Sequence, residues 1–284
     1  MSATRTPPRA VRYLAAHRVS TEDAEAPSKV ETVGVVLEAP LTVDVIGVGS
    51  YTIMCTPGDR RALALGFLFT DGIIESMADV ASIRPCRSDP YVVRVFLERK
   101  PTAVGEQGRS LLITSSCGVC GTEDLAARLD ALPAVENTMR IDSSLLRSVS
   151  RALGENQPLF DACGGTHAAA IFDGDGKILS CAEDAGRHCA LDKAIGKCML
   201  GDVPVAGRGV MLSGRSSMEM VGKCARAGIE LIAAVSAPTS LALEVADKCG
   251  ITLCSFVRET RATVFTHPGR VTGVTVGAQG PPRH

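Results

Sequence analysis

Short apolar strand patterns alternate with amphipathic helix patterns in the second half of the chain, and this order constrains the fold more than any other feature. Apolar runs lie at 209–212, 229–235 and 251–257, and one helical pattern with short connections separates each run from the next. Such an order implies right-handed crossovers and parallel strands with helices packed on the sheet. We therefore expect a three-layer α/β core over residues 141–272.

A predicted hairpin makes the expected sheet mixed rather than purely parallel. The sequence Asp-Gly-Asp-Gly at 173–176 is typical of a tight turn, and strand patterns at 168–172 and 177–181 flank it. A helical pattern follows at 190–198, which leads into the alternating part of the chain. The hairpin should therefore join the same sheet as the later strands.

The first part of the chain predicts a smaller α+β subdomain over residues 28–112. The residues Thr-Pro-Gly-Asp at 56–59 are typical of a turn that begins a helix. We expect residues 113–140 to hold a loop and a following helix, and 1–27 and 273–284 to be flexible tails. Three β-rich segments predict an antiparallel meander: 30–38, 41–46 and 51–55.

Composition excludes several classes of function. The formal net charge is −1, aromatic residues make up 4% of the chain and tryptophan is absent, so neither a phosphate-neutralising nor a base-stacking nucleic-acid surface is indicated. No apolar run reaches the length of about 18 residues that predicts a membrane span. Eleven cysteines in so long a chain are not typical of a secreted disulfide scaffold. We expect reduced thiols and a cytoplasmic location.

The segment 115–121, Ser-Ser-Cys-Gly-Val-Cys-Gly, is the strongest candidate for chemistry. Cys117 and Cys120 each have a glycine neighbour, which favours a mobile, accessible dithiol. A structural zinc site would need four ligands, and the nearest second pair, Cys249 and Cys254, belongs to the predicted core. A thioredoxin-like dithiol remains an alternative. The pattern favours an arm that accepts sulfur as a Cys117 persulfide, with Cys120 as a helper, and no bound metal.

Polar residues follow three predicted strands, at the edge where ligands bind in α/β sheets. Hydroxyl groups and an arginine at a helix start suit a phosphate, although ordinary helix capping explains the serines and threonines equally well. Arginines after the third strand suit a phosphate or a polar ring. The candidates are Ser213, Gly214, Arg215 and Ser216 after the first strand, Ser236 after the second, and Phe256, Val257, Arg258, Glu259, Thr260 and Arg261 after the third.

Two histidines beside glycines lie at other predicted element ends. His167 precedes a strand, and Arg187 and His188 precede a helix. A single histidine is more often structural than functional, but two in this position are candidates for ligand binding, together with Arg187.

These stretches together resemble the FdhD family of formate dehydrogenase accessory proteins, in order and over about residues 30–270. The resemblance covers nearly the whole chain except its tails. It rests on these matches: Met54-Cys55-Thr56-Pro57-Gly58-Asp59, Leu65-Gly66-Phe67-Leu68, the 115–121 segment, Gly164-Gly165-Thr166-His167-Ala168-Ala169, 183–188 with Leu191-Asp192-Lys193, Ser213-Gly214-Arg215, Ser236-Ala237-Pro238-Thr239 and Phe256-Val257-Arg258.

The resemblance implies a cytidine-deaminase-like fold, usually a homodimer, and a sulfurtransferase role. Sulfur from a cysteine desulfurase would be held as persulfide on Cys117. It would then pass to the bis-molybdopterin guanine dinucleotide form of the molybdenum cofactor before that cofactor enters formate dehydrogenase. Residues 256–261 would contact the cofactor, and GDP or GMP would mimic its guanine arms.

The sequence departs from the family pattern at two places. Cys189 stands where the family commonly has asparagine, and it is a candidate extra thiol. In the stretch 70–72, the acidic residue lies one position away from where the family pattern has it. A zinc deaminase is rejected because His167-Ala168-Ala169 lacks the required glutamate. A non-catalytic cofactor chaperone and a dithiol oxidoreductase remain alternatives.

Overall fold

The computed structural model describes residues 10–23, 25–98, 111–113 and 129–274. Its helices are α1 (Arg60–Thr70), α2 (Ser143–Glu155), α3 (Pro158–Cys163), α4 (Arg187–Leu200), α5 (Met218–Arg226) and α6 (Ser240–Lys248). Its strands are β1 (Val11–Arg18), β2 (Lys29–Val36), β3 (Ala39–Val45), β4 (Gly49–Cys55), β5 (Val80–Pro85), β6 (Val92–Leu97), β7 (Leu111–Ile113), β8 (Ile141–Asp142), β9 (His167–Phe172), β10 (Ile178–Asp184), β11 (Gly209–Leu212), β12 (Leu231–Ala234), β13 (Thr252–Ser255), β14 (Thr263–Thr266) and β15 (Val271–Thr272). None of these helices is long and apolar enough to cross a membrane.

The central sheet has six strands in the order β10-β9-β11-β12-β13-β14. Strands β11, β12 and β13 are parallel, as the alternation of elements predicts, and β9 is antiparallel to both of its neighbours. The predicted hairpin is confirmed: β9 and β10 pair around the turn, where Gly176 adopts a positive φ of 76°. The sheet is therefore mixed.

Helices cover both faces of this sheet. On one face α4, α5 and α6 pack against alternate strand residues such as Ile171, Leu212 and Ile232. On the other face α2 packs through Leu146 and its neighbours against residues such as Phe172. The short strands β8 and β15 pair with each other beside α2, at the two ends of residues 141–272. The result is a three-layer core.

A second sheet lies beyond α1, in the order β5-β6-β3-β4-β7. The predicted meander is confirmed only for β3 and β4, which form an antiparallel pair. Strand β2 does not join them, because it pairs with β1 along the full length of both strands. Helix α1 buries its apolar residues against this second sheet and also contacts α4.

Strands β1 and β2 form a separate two-stranded ribbon, so the prediction of a flexible tail over residues 1–27 is wrong for residues 11–18. The base of the ribbon packs on α3, where a Cβ added to Gly34 would lie 2.2 Å from the Ala162 carbonyl oxygen. Most of β1 is exposed on both faces, and a strand without a buried face shows no alternation of apolar and polar residues. That is why its sequence gives no strand signal.

Two glycines allow α1 and α4 to approach unusually closely. A Cβ on Gly66 of α1 would lie 1.9 Å from the Asp192 carbonyl oxygen of α4. A Cβ on Gly196 of α4 would lie 1.9 Å from the Ala62 carbonyl oxygen of α1. Both contacts are with backbone atoms, so no side chain can move aside to relieve them.

The Gly66→Ala variant should therefore lose about 2–3 kcal/mol of unfolding free energy, at the upper end of overpacking effects. Gly154→Ala is the matched control, because Gly154 is an exposed position of α2 with no atom within 4 Å of an added Cβ. The control should be neutral or slightly stabilising. Chemical denaturation measures both variants, and equal stability of the two would contradict the close contact.

Candidate functional site

The predicted site residues of the core lie along one edge of the six-stranded sheet. The carboxyl ends of β10, β11, β12 and β13 share this edge with the start of β9, because β9 runs the opposite way. Three contacts join neighbouring strand ends. The Ala168 N–H donates to Ser213 Oγ at 2.9 Å, and the Phe256 N–H donates to the Ser236 carbonyl at 3.3 Å. The backbones of Ser216 and Pro238 form an isolated parallel β-bridge.

His167 and Arg187 meet at the end of β11. A Cβ on Gly214 would lie 3.1 Å from His167 Nδ1 and 4.0 Å from the Arg187 Cβ, so the glycine leaves both side chains room. Partial burial, and then the positive charge of Arg187, lower the pKa of His167 below its ordinary value. The imidazole is therefore biased toward its neutral form, which can accept a proton.

His188 has a carboxylate partner that sequence reasoning missed. Its Nε2 lies 2.9 Å from Oε2 of Glu219, which belongs to the first turn of α5. The nearby His188 ring lowers the pKa of Glu219 below its ordinary value, and Arg187, with its Nη2 3.9 Å from the same oxygen, acts in the same direction. A glutamate in the first turn of a helix is common for reasons of helix polarity, so the sequence gives no specific signal for this contact.

The structure shows which of the serines and threonines after these strands act as helix caps and which do not. Thr239 is an ordinary cap of α6, because its side chain accepts from the Ala242 N–H. Ser217 stands at the cap position of α5 without a side-chain hydrogen bond. The buried hydroxyl groups of Ser216 and Ser217 have no hydrogen-bond partner among the described atoms. The α5 start therefore keeps free hydroxyl groups that capping does not use.

The loop after β13 is held in a fixed shape. Phe256 has a positive φ of 54°, and the Arg258 N–H donates to the Arg261 carbonyl at 2.8 Å. The Arg258 guanidinium donates to the carbonyl oxygens of Val235 and Val257. The Val257 side chain is 2% exposed and belongs to the core, so only its backbone is available to a ligand.

The other predicted residues of this loop are exposed. Glu259 pairs with Arg151 of α2 at 2.9 Å, on the surface. Thr260, Arg261 and the earlier Arg215 are exposed. Arg215, Arg258 and Arg261 are therefore all exposed near these strand ends, and the Arg258 guanidinium also donates to backbone carbonyl oxygens.

A buried ion pair supports the junction between β10 and α4, which carries Arg187 and His188. Lys193 Nζ lies 2.7 Å from Asp184 Oδ2, and their side chains are 2% and 0% exposed. Asp184 also accepts from the N–H groups of Thr56 and Gly186 at 3.0 and 2.9 Å. Burial raises the pKa of Asp184 above its ordinary value, and Lys193 opposes this effect. The network ties this junction to the start of α1.

Cys117, Cys120 and most of the predicted segment 113–140 lie outside the described residues. Cys189 is described, and the prediction of an extra reactive thiol there is wrong. Its side chain is buried in α4, its Sγ donates to the Met54 carbonyl, and burial raises its pKa. Cys249 and Cys254 are core residues, as expected.

Comparison with known proteins assigns the family. A sequence model of the FdhD/NarQ family matches residues 36–272. The chain belongs to the FdhD/NarQ family. A relative named sulfur carrier protein FdhD, from Saccharolobus solfataricus, is 39% identical over 220 residues, which cover 77% of this chain and 82% of the relative. The protein of the same name from Bordetella parapertussis is 40% identical over 238 residues, which cover 82% of this chain and 86% of the relative.

A solved structure shares the fold of this chain. It is described as a putative formate dehydrogenase accessory protein from Desulfotalea psychrophila, and it matches with a TM-score of 0.73 at 24% identity. The match covers 92% of this chain and 99% of that one. The mixed α/β architecture with several sheets is therefore shared with a solved structure.

Proposed function

We propose that this FdhD/NarQ-family protein is a sulfur carrier and sulfurtransferase that serves formate dehydrogenase. The observation that carries the proposal is the likeness to proteins named sulfur carrier protein FdhD, which extends over most of both chains. The dithiol at Cys117 and Cys120 supplies the chemistry that such a role requires. Sulfur comes from a cysteine desulfurase, and the acceptor is the bis-molybdopterin guanine dinucleotide molybdenum cofactor.

The sulfur steps balance with these two thiols. The Cys117 thiolate attacks the outer sulfur of the desulfurase persulfide, that S–S bond breaks, and its electron pair leaves on the desulfurase thiolate. Cys117 then carries the persulfide. In the delivery step, the Cys120 thiolate attacks the inner sulfur on Cys117, and sulfide leaves with the electron pair for the acceptor. The resulting Cys117–Cys120 disulfide is returned to the dithiol by a thiol reductant.

The strand-end edge supports a cofactor site. The free hydroxyl groups of Ser216 and Ser217 lie at the start of α5, where backbone N–H groups and the helix dipole favour an anion. Arg215 and Arg261 add positive charge that can pair with phosphates. GDP and GMP should bind here as mimics of the guanine arms.

We also infer a cytidine-deaminase-like core. Its support is the mixed sheet, in which only β9 and the edge strand β14 run against the parallel strands and helices cover both faces. The metal chemistry of zinc deaminases is not part of the inference, because the sequence lacks their glutamate motif.

The ribbon supports a homodimer. Cross-strand partners Leu14 and Val33 lie on its outer face together with Val35, and their side chains are 47%, 39% and 44% exposed. A two-stranded ribbon is only marginally stable in water by itself. Strand β1 is the outer strand, since the close contacts of the ribbon with the 158–165 region come from Gly34 and Val36 of β2. Antiparallel pairing of β1 with β1 of a second copy, centred on Leu14, places Arg12 opposite Ala16 and brings no like charges together.

The Leu14→Lys variant and the Leu14→Glu variant should each be monomeric, because each places like charges opposite one another. An equimolar mixture of the two should form a dimer. Val33→Lys, on the inner strand of the same face, should remain dimeric. Sedimentation velocity measures all four samples, and a mixture that stays monomeric would disprove this interface.

The proposed function is tested by incubating the protein with a cysteine desulfurase and cysteine, and by mapping the added sulfur with peptide mass spectrometry. One sulfur atom on the Cys117 peptide is expected. A non-catalytic chaperone would bind cofactor and activate formate dehydrogenase without this label. A dithiol oxidoreductase would cycle the Cys117–Cys120 pair on a thiol substrate without carrying sulfur.

A further inference from the structure

An exposed pair of aromatic side chains lies where the six-stranded sheet ends at β14. Phe256 and Phe265 are 38% and 41% exposed, although phenylalanine is usually among the most buried residue types. Their ring centroids are 6.4 Å apart and the rings are tilted by 54° to each other. Phe256 follows β13, and Phe265 lies on the neighbouring strand β14, which forms the edge of the sheet.

The backbone holds Phe256 in a conformation that a bulky residue rarely adopts. Its φ of 54° is in the left-handed region, which is unfavourable for residues with a Cβ. The Phe256 N–H donates to the Ser236 carbonyl, and the Val257 N–H donates to the Ala234 carbonyl at 3.1 Å. Strain of this kind persists where surrounding contacts enforce it, and ligand clamps are among the places where it occurs. The fold therefore maintains an exposed ring at some cost.

Polar residues adjoin Phe256 in the sequence of this loop, which suits a polar ring rather than a purely apolar partner. The Arg258 guanidinium, two residues from Phe256, is fixed by the Val235 and Val257 carbonyl oxygens. The hydroxyl group of Ser255, immediately before Phe256, is buried and has no hydrogen-bond partner among the described atoms. An exposed aromatic face on a loop that also carries a fixed cation is the chemistry that binds a planar heterocycle.

We propose that Phe265 and Phe256 form a stacking site for a planar nitrogen heterocycle, and that Phe265 is a specificity-determining residue of this site. The inference rests on the proposed function, because guanine and the pterin of the proposed acceptor are both rings of this chemical class. Phe265 lies outside residues 256–261, so the motif that suggested the loop does not include it. Phe256 supplies one aromatic surface and Phe265 the second.

The experiment measures binding of GDP, of a pterin without a nucleotide, and of pyrophosphate by isothermal titration calorimetry. Phe265→Ala should weaken binding of GDP, of the pterin or of both by about tenfold, since stacking on an aromatic side chain contributes on that scale. Pyrophosphate binding should not change. Loss for GDP alone assigns the ring to guanine, and loss for the pterin alone assigns it to the pterin.

Two further variants separate stacking from a general effect of losing a phenylalanine. Phe265→Tyr keeps an aromatic face and should retain at least half of the wild-type affinity. Phe160→Ala removes a ring of α3 that is 46% exposed, and it should leave all three affinities unchanged. Unchanged ring affinities in Phe265→Ala, or an equal loss in Phe160→Ala, would overturn the stacking site.

Sulfur loading of the same proteins keeps the two proposals distinguishable. A wild-type protein that loads sulfur but binds neither GDP nor the pterin would overturn the stacking site and leave the sulfur-carrier proposal standing. A protein that binds the rings through Phe265 but takes no sulfur from a desulfurase would do the opposite. Sulfur loading reports on Cys117 and ring binding reports on Phe265, so the result of one measurement does not depend on the other.

Discussion

The Cys117→Ala variant should take up no sulfur from a cysteine desulfurase and should fail to activate formate dehydrogenase. The variant removes the only atom that, in the proposed mechanism, forms the persulfide, so the loss should be complete rather than partial. Unfolding free energy and GDP affinity should stay at the wild-type values, because the proposed nucleotide site uses residues of the sheet edge. Intact-mass analysis, an activation assay and calorimetry on the same preparation measure the three properties.

Cys86→Ala is the appropriate control among the described cysteines. Cys86 is partly exposed, and a hydrogen bond with Ser88 lowers its pKa below the ordinary value, so it is the described thiol most prone to form a thiolate. The buried thiols are far less reactive, since burial raises the pKa of Cys55 and of Cys254 to about 12. Sulfur that appears on Cys86 and disappears in Cys86→Ala, with Cys117→Ala still labelled, would contradict the assignment.

The central architecture could be predicted because its sequence patterns have one physical explanation each. Short apolar runs separated by single helices allow few arrangements other than parallel strands with crossover helices, and the structure has β11, β12 and β13 in that arrangement. Glycine-rich turn residues at 173–176 likewise predict the β9–β10 hairpin, which is present. Local chemistry determines both features.

The pairing of the first strands could not be predicted from local pattern. Strand β2 has a strong β propensity, but propensity does not say whether its partner is β1 or β3. The packing of Gly34 against Ala162 is a contact between distant parts of the chain, and it places β2 on α3. The ribbon is therefore a consequence of tertiary packing.

In the candidate site, too, some residues could be predicted from local sequence motifs and others depend on contacts between distant parts of the chain. Motifs placed Ser213, Ser236 and Phe256 at strand ends, and the parallel sheet brings these ends together at one edge. Glu219 and Phe265 were missed because each is ordinary in its own element, one in a first helical turn and one in an edge strand. Their significance comes from neighbours distant in sequence, His188 and Phe256.

The Lys193→Met variant should lose about 3–5 kcal/mol of unfolding free energy at neutral pH, because it leaves the buried Asp184 carboxylate without its positive partner. Methionine preserves most of the side-chain volume, so the loss reports charge rather than a cavity. Lys197→Met is the control one turn further along α4: its partner Asp59 is 47% exposed, and such a pair contributes about 1 kcal/mol or less. Equal losses in the two variants, measured by chemical denaturation, would mean that burial of the Lys193–Asp184 pair is not what matters.

The pH dependence of Lys193→Met gives an independent check with a definite sign. Burial already raises the folded-state pKa of Asp184, and removal of Lys193 should raise it further, because that lysine opposes the shift. A carboxyl group whose folded pKa lies above its unfolded value stabilises the protein fully below the unfolded value, and this stabilisation is lost as pH rises through the folded pKa. The deficit of Lys193→Met relative to wild type should therefore be largest at neutral pH and shrink as pH falls into the acid range. Adding Asp184→Asn to the variant should remove this pH dependence, since the asparagine does not titrate. If the stability deficit of Lys193→Met itself stays constant with pH, Asp184 is not the group that the variant leaves without a partner.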